Sequence, residues 1–92
     1  MKVIFMGTPE FAADILRAVY DCPVELTAVF TQPDRPVGRR QVLTPPAVKV
    51  LAQEYGLPVF QPERIKRPRW TELLRSMEPD LVIVAAYGQI LS

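Results

Sequence analysis

A chain of 92 residues suits one small domain or one half of a larger one. With 49% apolar and 23% charged residues and a formal net charge of +1, it is ordinary globular material, which excludes a disordered tail and any global field drawing it to nucleic acid or membrane. A single cysteine excludes an intrachain disulfide and fits a reducing cytosol, and the absence of histidine removes the commonest general base and metal ligand.

The apolar run at residues 3–6 is far shorter than a signal sequence or membrane span needs, so a cytoplasmic location is expected. Ending at Gly7, it reads instead as a strand buried on both faces. Gly7-Thr8-Pro9 turns the chain into a helix, with Thr8 the expected cap, Pro9 first in the helix and Glu10 at its positive end. Phe11, Ile15, Leu16 and Val19 follow at helical spacing and are expected to face the core, and Pro23 closes the helix. Cys22 reads as a small residue at the helix end.

Residues 26–30 form the second expected strand. Residues 31–43 read as a long polar loop carrying Pro33, Pro36 and Gly38. Thr44-Pro45-Pro46 starts a second helix by the same logic of cap and proline, with Ala47, Val48, Leu51 and Ala52 facing inward and Gly56 ending it. Residues 58–61 form a short third strand. A basic stretch, residues 64–69, leads into a third helix from about Pro68 to Met77, with Trp70, Leu73, Leu74 and Met77 on its inner side. Residues 81–86 form the most apolar strand of all.

Strand and helix alternate three times before the final strand, which predicts an α/β fold: a Rossmann-like parallel sheet of four strands with three helices distributed on both faces. In such a sheet the chain runs outward from the first strand, then returns to lay the fourth on its other side, and ligands bind outside the carboxyl ends of those two strands. That logic nominates Gly7-Thr8-Pro9 and Ala86-Tyr87-Gly88-Gln89 as one wall of a cleft. The chain stops at Ser92, leaving the fourth strand with an open apolar edge, a liability that suggests the natural protein continues.

A dinucleotide site wants three glycines in the first turn, and only Gly7 is present; Pro9 removes an N–H and Glu10 would repel a phosphate. Without those glycines Asp34 reads as a turn residue beside Pro33 and Pro36. Residues 34–40 place Arg35, Arg39 and Arg40 in a loop shaped by proline and glycine. This is either a solvated loop or a phosphate-contacting finger, for which arginine's fork is suited and Gly38 would allow close approach. Arg64, Lys66, Arg67 and Arg69 form a second cluster that reads as a solvated loop, or as a second RNA contact if both clusters share a face. Tyr87, Gly88, Gln89, Ile90 and Leu91 form either a plain strand exit or the edge of the cleft, where a flat heterocycle docks on main-chain groups. No catalytic constellation and no metal-ligand spacing stands out, and Thr8, Thr31 and Ser76 have no base to activate them.

Three blocks of residues resemble one known family. Phe5-Met6-Gly7-Thr8-Pro9-Glu10-Phe11-Ala12, then Val29-Phe30-Thr31-Gln32-Pro33-Asp34-Arg35-Pro36-Val37-Gly38-Arg39 with Leu43, Pro45, Val48 and Lys49, and finally Val84-Ala85-Ala86-Tyr87-Gly88-Gln89-Ile90-Leu91 are similar to the N-terminal part of methionyl-tRNA formyltransferases. They run in order across essentially the whole chain. The resemblance implies a cytosolic enzyme of translation initiation that moves a formyl group from 10-formyltetrahydrofolate to the amino group of methionine on initiator tRNA, with no metal and no membrane. It implies that residues 1–92 are the N-terminal portion of a Rossmann-like formyltransferase domain, followed by its remainder and a β-barrel domain. By motif, Arg39 matches the arginine that engages the tRNA acceptor end, with Arg35, Gly38, Arg40 and Lys49 in the same segment, and residues 88–91 match the segment bordering the folate pterin. Arg40 departs from the family's usual glycine, adding charge and removing flexibility. The family's catalytic asparagine, histidine and aspartate would lie downstream, so no catalytic residue is assigned to this chain, which by itself would be inactive. Two alternatives remain: a folate-dependent relative acting on a sugar nucleotide or on water, and a binding fragment without chemistry.

Overall fold

The computed structural model describes residues 1–89. In chain order its elements are β1 (Lys2–Gly7), α1 (Glu10–Tyr20), β2 (Glu25–Phe30), β3 (Arg35–Val37), β4 (Val42–Thr44), α2 (Ala47–Glu54), β5 (Val59–Phe60), α3 (Pro68–Met77) and β6 (Leu81–Ala85). Four strands make a parallel sheet in the order β5-β2-β1-β6, so the chain runs outward from β1 and returns to its other side, as the alternation of elements predicts.

The apolar run Val3, Ile4, Phe5, Met6 occupies the middle of this sheet and is buried on both faces. Side chains alternate between two cores. On one face Phe5 and Val29 pack with Ala12, Ala13 and Leu16 of α1 and Val48, Leu51 and Ala52 of α2. On the other, Ile4, Met6, Ala28 and Phe30 meet α3 through Trp70, Leu73, Leu74 and Met77. Phe30, Phe60 and Trp70 hold this side together, with ring centroids 5.2, 6.2 and 6.1 Å apart. A register shift between Val3 and Ile4 gives β2 one extra residue, Thr27, whose hydroxyl donates to the Val3 carbonyl.

Several expectations are corrected. The inner side of α1 is Ala12, Ala13 and Leu16, whereas Phe11 and Ile15 face outward and are exposed. Ala12 lies against the β1 turn at Gly7, and Ala13 lies beside Ala47 and Leu51 of α2, so the inward face is the one these alanines share with Leu16. Residues 31–43 are not simply a loop, because β3 and β4 pair antiparallel as a hairpin (Arg35↔Thr44, Pro36↔Leu43, Val37↔Val42). Its strand residues are all exposed, so no buried face imprints an alternating pattern on the sequence. Although β6 is the most apolar strand in sequence, its Leu81, Val82 and Val84 are exposed, because among the described residues only β1 flanks the strand and α3 sits over the other strands.

Neither threonine caps a helix. Pro9 itself occupies the cap position of α1, and its carbonyl accepts from the amides of Ala12 and Ala13 at 3.0 and 3.1 Å. Thr44 closes β4, its hydroxyl donating to Val42 O, and Pro46 precedes α2.

Gly7 is fixed by packing. A Cβ there would stand 2.8 Å from Phe5 Cε2 and 2.9 Å from both Ala12 Cβ and Ala85 O. Gly7→Ala is therefore expected to destabilise the fold by about 1–3 kcal/mol through overpacking at the β1–α1 turn. Urea unfolding checks this, and an unchanged midpoint would refute it.

Candidate functional site

Parallel strands deliver their carboxyl ends to one edge of the sheet, and the loops leaving β1, β2, β5 and β6 meet there. Thr8 is the junction. Its hydroxyl donates to the Tyr87 carbonyl at 2.7 Å and accepts from the Gln32 amide at 3.4 Å, while its carbonyl accepts from the Val48 amide at 3.4 Å. Three strand exits and the start of α2 are thereby tied through one residue.

Three glutamines continue the network. Gln32 is buried; its Oε1 accepts from Gln89 Nε2 at 2.9 Å and its carbonyl accepts from Gln61 Nε2 at 3.2 Å. Gln89 Nε2 also donates to Pro62 O at 2.8 Å, and Gln89 Oε1 accepts from the Ile65 amide at 2.7 Å. Gln61 Nε2 donates to Asp34 Oδ1 at 2.7 Å, and Lys49 Nζ contacts Asp34 Oδ1 and Oδ2 at 3.0 and 3.2 Å. The Gln61 hydrogen bond, followed by Lys49, holds the Asp34 carboxyl below its ordinary range.

Tyr87 is turned inward, flanked by two residues of positive φ, Ala86 at 50° and Gly88 at 97°. Burial pushes its phenol up to about 12, and its Oη has no hydrogen-bond partner among the described residues. Gly88 is exposed, yet a Cβ on it would stand 2.7 Å from Gln32 Nε2. Its missing side chain thus accommodates Gln32 as well as leaving the outer backbone open. The Gln89 side chain is committed to the network. Of the expected cofactor segment, Tyr87 is buried with its carbonyl held by Thr8, Gly88 is exposed and Gln89 is half-buried, while Ile90 and Leu91 lie outside the described residues.

Beside Gly88 and Gln89 opens a cavity of about 650 Å³, walled by the loop before α3. Arg64, Lys66 and Arg67 line it with Glu63, and none of these cations has a carboxylate partner among the described residues. Arg69 is apart from it, stacked on the Trp70 ring at 4.7 Å.

The arginine segment is the hairpin. Gly38 (φ 77°) begins its tip and the Gln41 amide closes the turn onto Gly38 O at 3.2 Å, so Arg39 and Arg40 are the two central turn residues. Both are exposed, as is Arg35 at the hairpin's base. Lys49, expected with these arginines, instead points to Asp34 beneath the hairpin. Sequence reasoning missed Thr8, Gln32, Gln61 and Asp34 as a connected group; nothing in their spacing marks it, since they lie on three different loops.

Residues 1–92 match the protein family described as formyl transferase. The chain is 54% identical over 91 residues to the methionyl-tRNA formyltransferase of Halalkalibacterium halodurans, covering 99% of this chain and 29% of that protein. It is 53% identical over 93 residues to that of Campylobacter hominis (99% and 31%) and 53% over 91 residues to that of Geotalea daltonii (99% and 29%). The chain thus spans about three tenths of the length of the curated relatives it matches.

Thr8→Val is expected to cost about 1–3 kcal/mol in urea unfolding, because two backbone groups lose their partner, while Thr8→Ser keeps most of the stability. Equal losses for the two variants would show that the methyl group, not the hydroxyl, matters. A raised phenol in the folded state contributes stability that is complete below the ordinary value of 10.0 and lost as pH rises toward about 12. Tyr87→Phe should remove that alkaline loss between pH 10 and 12 without destabilising the protein at pH 7, as followed by thermal melts across pH.

Proposed function

This chain belongs to the formyl transferase family, and on that premise we propose that it forms the front part of a methionyl-tRNA formyltransferase. The reaction is transfer of a formyl group from 10-formyltetrahydrofolate to the methionyl amine of charged initiator tRNA. In it the amine nitrogen attacks the formyl carbon and gives up one proton, the bond from that carbon to the folate N10 breaks, and N10 takes up a proton in its place. Residues 1–92 supply binding and positioning, and the groups that move protons lie elsewhere in the enzyme, in keeping with a sequence that has no histidine.

The observation that carries this reading is the convergence of two unlike surfaces at one sheet edge. The first is the cavity beside Gly88 and Gln89, whose volume falls within the range of small-molecule sites. A flat pterin suits the exposed main chain at Gly88, and the carboxylates at a folate's tail suit Arg64, Lys66 and Arg67. The second is the hairpin tip, where Arg39 and Arg40 stand free of protein acids among the described residues, as phosphate-contacting arginines must. A sugar nucleotide needs no such projecting finger, so the hairpin favours tRNA over the related acceptors. Arg40 in place of the family's usual glycine puts a second cation at the turn. The cytoplasm is where such a reaction belongs, and no described helix is long and apolar enough to cross a membrane.

Formyl transfer from 10-formyltetrahydrofolate to charged initiator tRNA, assayed with the intact protein, tests the proposal. Arg39→Ala is expected to raise KM for the tRNA about tenfold or more, and to reduce the dependence of log KM on log salt by about one unit, with the folate KM unchanged. An intact protein that formylates a sugar nucleotide but not the charged tRNA would overturn it.

A further inference from the structure

The hairpin that carries Arg39 and Arg40 has little of its own to hold it. Its six strand residues are exposed, and only a shallow cavity of about 160 Å³ separates it from Thr8 and Gln32 beneath. It returns to the body through Pro45 and Pro46, which have no amide hydrogen to donate. At its other root stands Asp34, immediately before β3. That carboxylate is grasped by two elements from the body: Lys49 in the first turn of α2, at 3.0 and 3.2 Å, and Gln61 just after β5, at 2.7 Å. Both graspers are anchored. Lys49 follows the fully buried Val48, and Gln61 Nε2 is held a second time by the Gln32 carbonyl at 3.2 Å. The Asp34 and Lys49 side chains keep 28% and 19% of their exposure, so this pair is better shielded than the other ion pair among the described residues, Arg17–Asp14 at 55% and 66%. A two-oxygen contact in partial shelter restrains direction more than a surface pair does.

We propose that Asp34, gripped by Lys49 and Gln61, is the positioning residue that aims the hairpin, so that Arg39 and Arg40 meet the charged tRNA in one fixed direction, and that Lys49 acts through Asp34 without itself touching the RNA. The proposal rests on the tRNA reading above. A cation at a phosphate-binding loop usually serves the phosphate directly; here its ammonium is already committed to both oxygens of Asp34. Misdirecting a binding loop by about an ångström is sufficient to weaken a reaction substantially although every contacting residue is still present.

Two readouts on the intact protein test it. Trypsin can cut after Arg39 and Arg40 at the tip, whereas Arg35 is protected by the proline that follows it. Asp34→Ala and Gln61→Ala should each raise native-state cleavage at the tip about tenfold while cleavage elsewhere stays the same. If Asp34→Ala unfolds the protein, Asp34→Asn, which keeps the shape and loses the charge, serves in its place. Unchanged tip cleavage in a folded variant overturns the proposal. In the transfer assay Asp34→Ala should raise the tRNA KM about tenfold with kcat and folate KM nearly unchanged. Its salt dependence should match the wild type, unlike that of Arg39→Ala, because no phosphate contact is removed. The double variant Asp34→Lys with Lys49→Asp should recover much of the KM and the tip protection lost in Lys49→Asp alone. No recovery would mean that Lys49 serves the RNA itself, which overturns the positioning role. If the wild-type protein fails to formylate charged tRNA, the functional reading falls, and the trypsin result still decides whether Asp34 aims the hairpin.

Discussion

A single hydroxyl organises the functional edge of this molecule. Parallel strands place their carboxyl ends side by side, and the loops leaving them carry backbone groups that must find partners where no ladder continues. Thr8 answers this at the centre. Its Oγ1 bridges Tyr87 O and the Gln32 amide, and its carbonyl receives the Val48 amide, so the exits of β1, β2 and β6 and the start of α2 keep fixed distances from one another. Gly7 supports this junction: a Cβ there would collide with Phe5, Ala12 and Ala85 O, so the close packing of β1, α1 and β6 beside Thr8 needs glycine. The geometry of both candidate surfaces follows from this junction.

Around Thr8 the polar work is done by amides rather than by charges. Gln32, Gln61 and Gln89 each offer a donor and an acceptor, so they cross-link loops without the cost of burying net charge. The cations are consequently left on the outside. Arg35, Arg39 and Arg40 on the hairpin, and Arg64, Lys66 and Arg67 on the loop before α3, have no acidic partner among the described residues. A cluster that repels itself and is left uncompensated favours an anionic partner. Asp34 is the acid that does enter the network, and it faces Lys49 rather than any of these arginines.

Helix starts show how an identical local signal acquires another use. Thr8-Pro9 and Thr44-Pro45 have the composition of caps, and each helix begins within a few residues of them, at Glu10 and Ala47, with Pro9 and Pro46 just before the first helical residue. The hydroxyls go elsewhere, because Pro9 and Pro46 occupy the cap positions and each threonine sits where a tertiary or strand partner is nearer. Helical spacing was similarly ambiguous in α1. Phe11 and Leu16 are both apolar, and the inner face is the one that Leu16 shares with Ala12 and Ala13. The hairpin left no pattern at all, since a ribbon without a buried face has nothing to alternate.

The sequence by itself determined the alternation of the four sheet strands with the three helices, the parallel sheet with β1 inside it and the bounds of α3. These depend on local periodicity, prolines and the burial of residues 3–6, and each is decided within a few residues of chain. It also carried the family resemblance, because motifs are linear. Only the tertiary structure decided what Thr8, Gln32, Asp34, Lys49, Gln61 and Gln89 do. Their partners lie between 15 and 79 residues away, and a side chain that donates across such separations has no periodicity to reveal it. Gly88 makes the same point: its sequence signals close approach, and the fold determines that Gln32 is among the groups that approach.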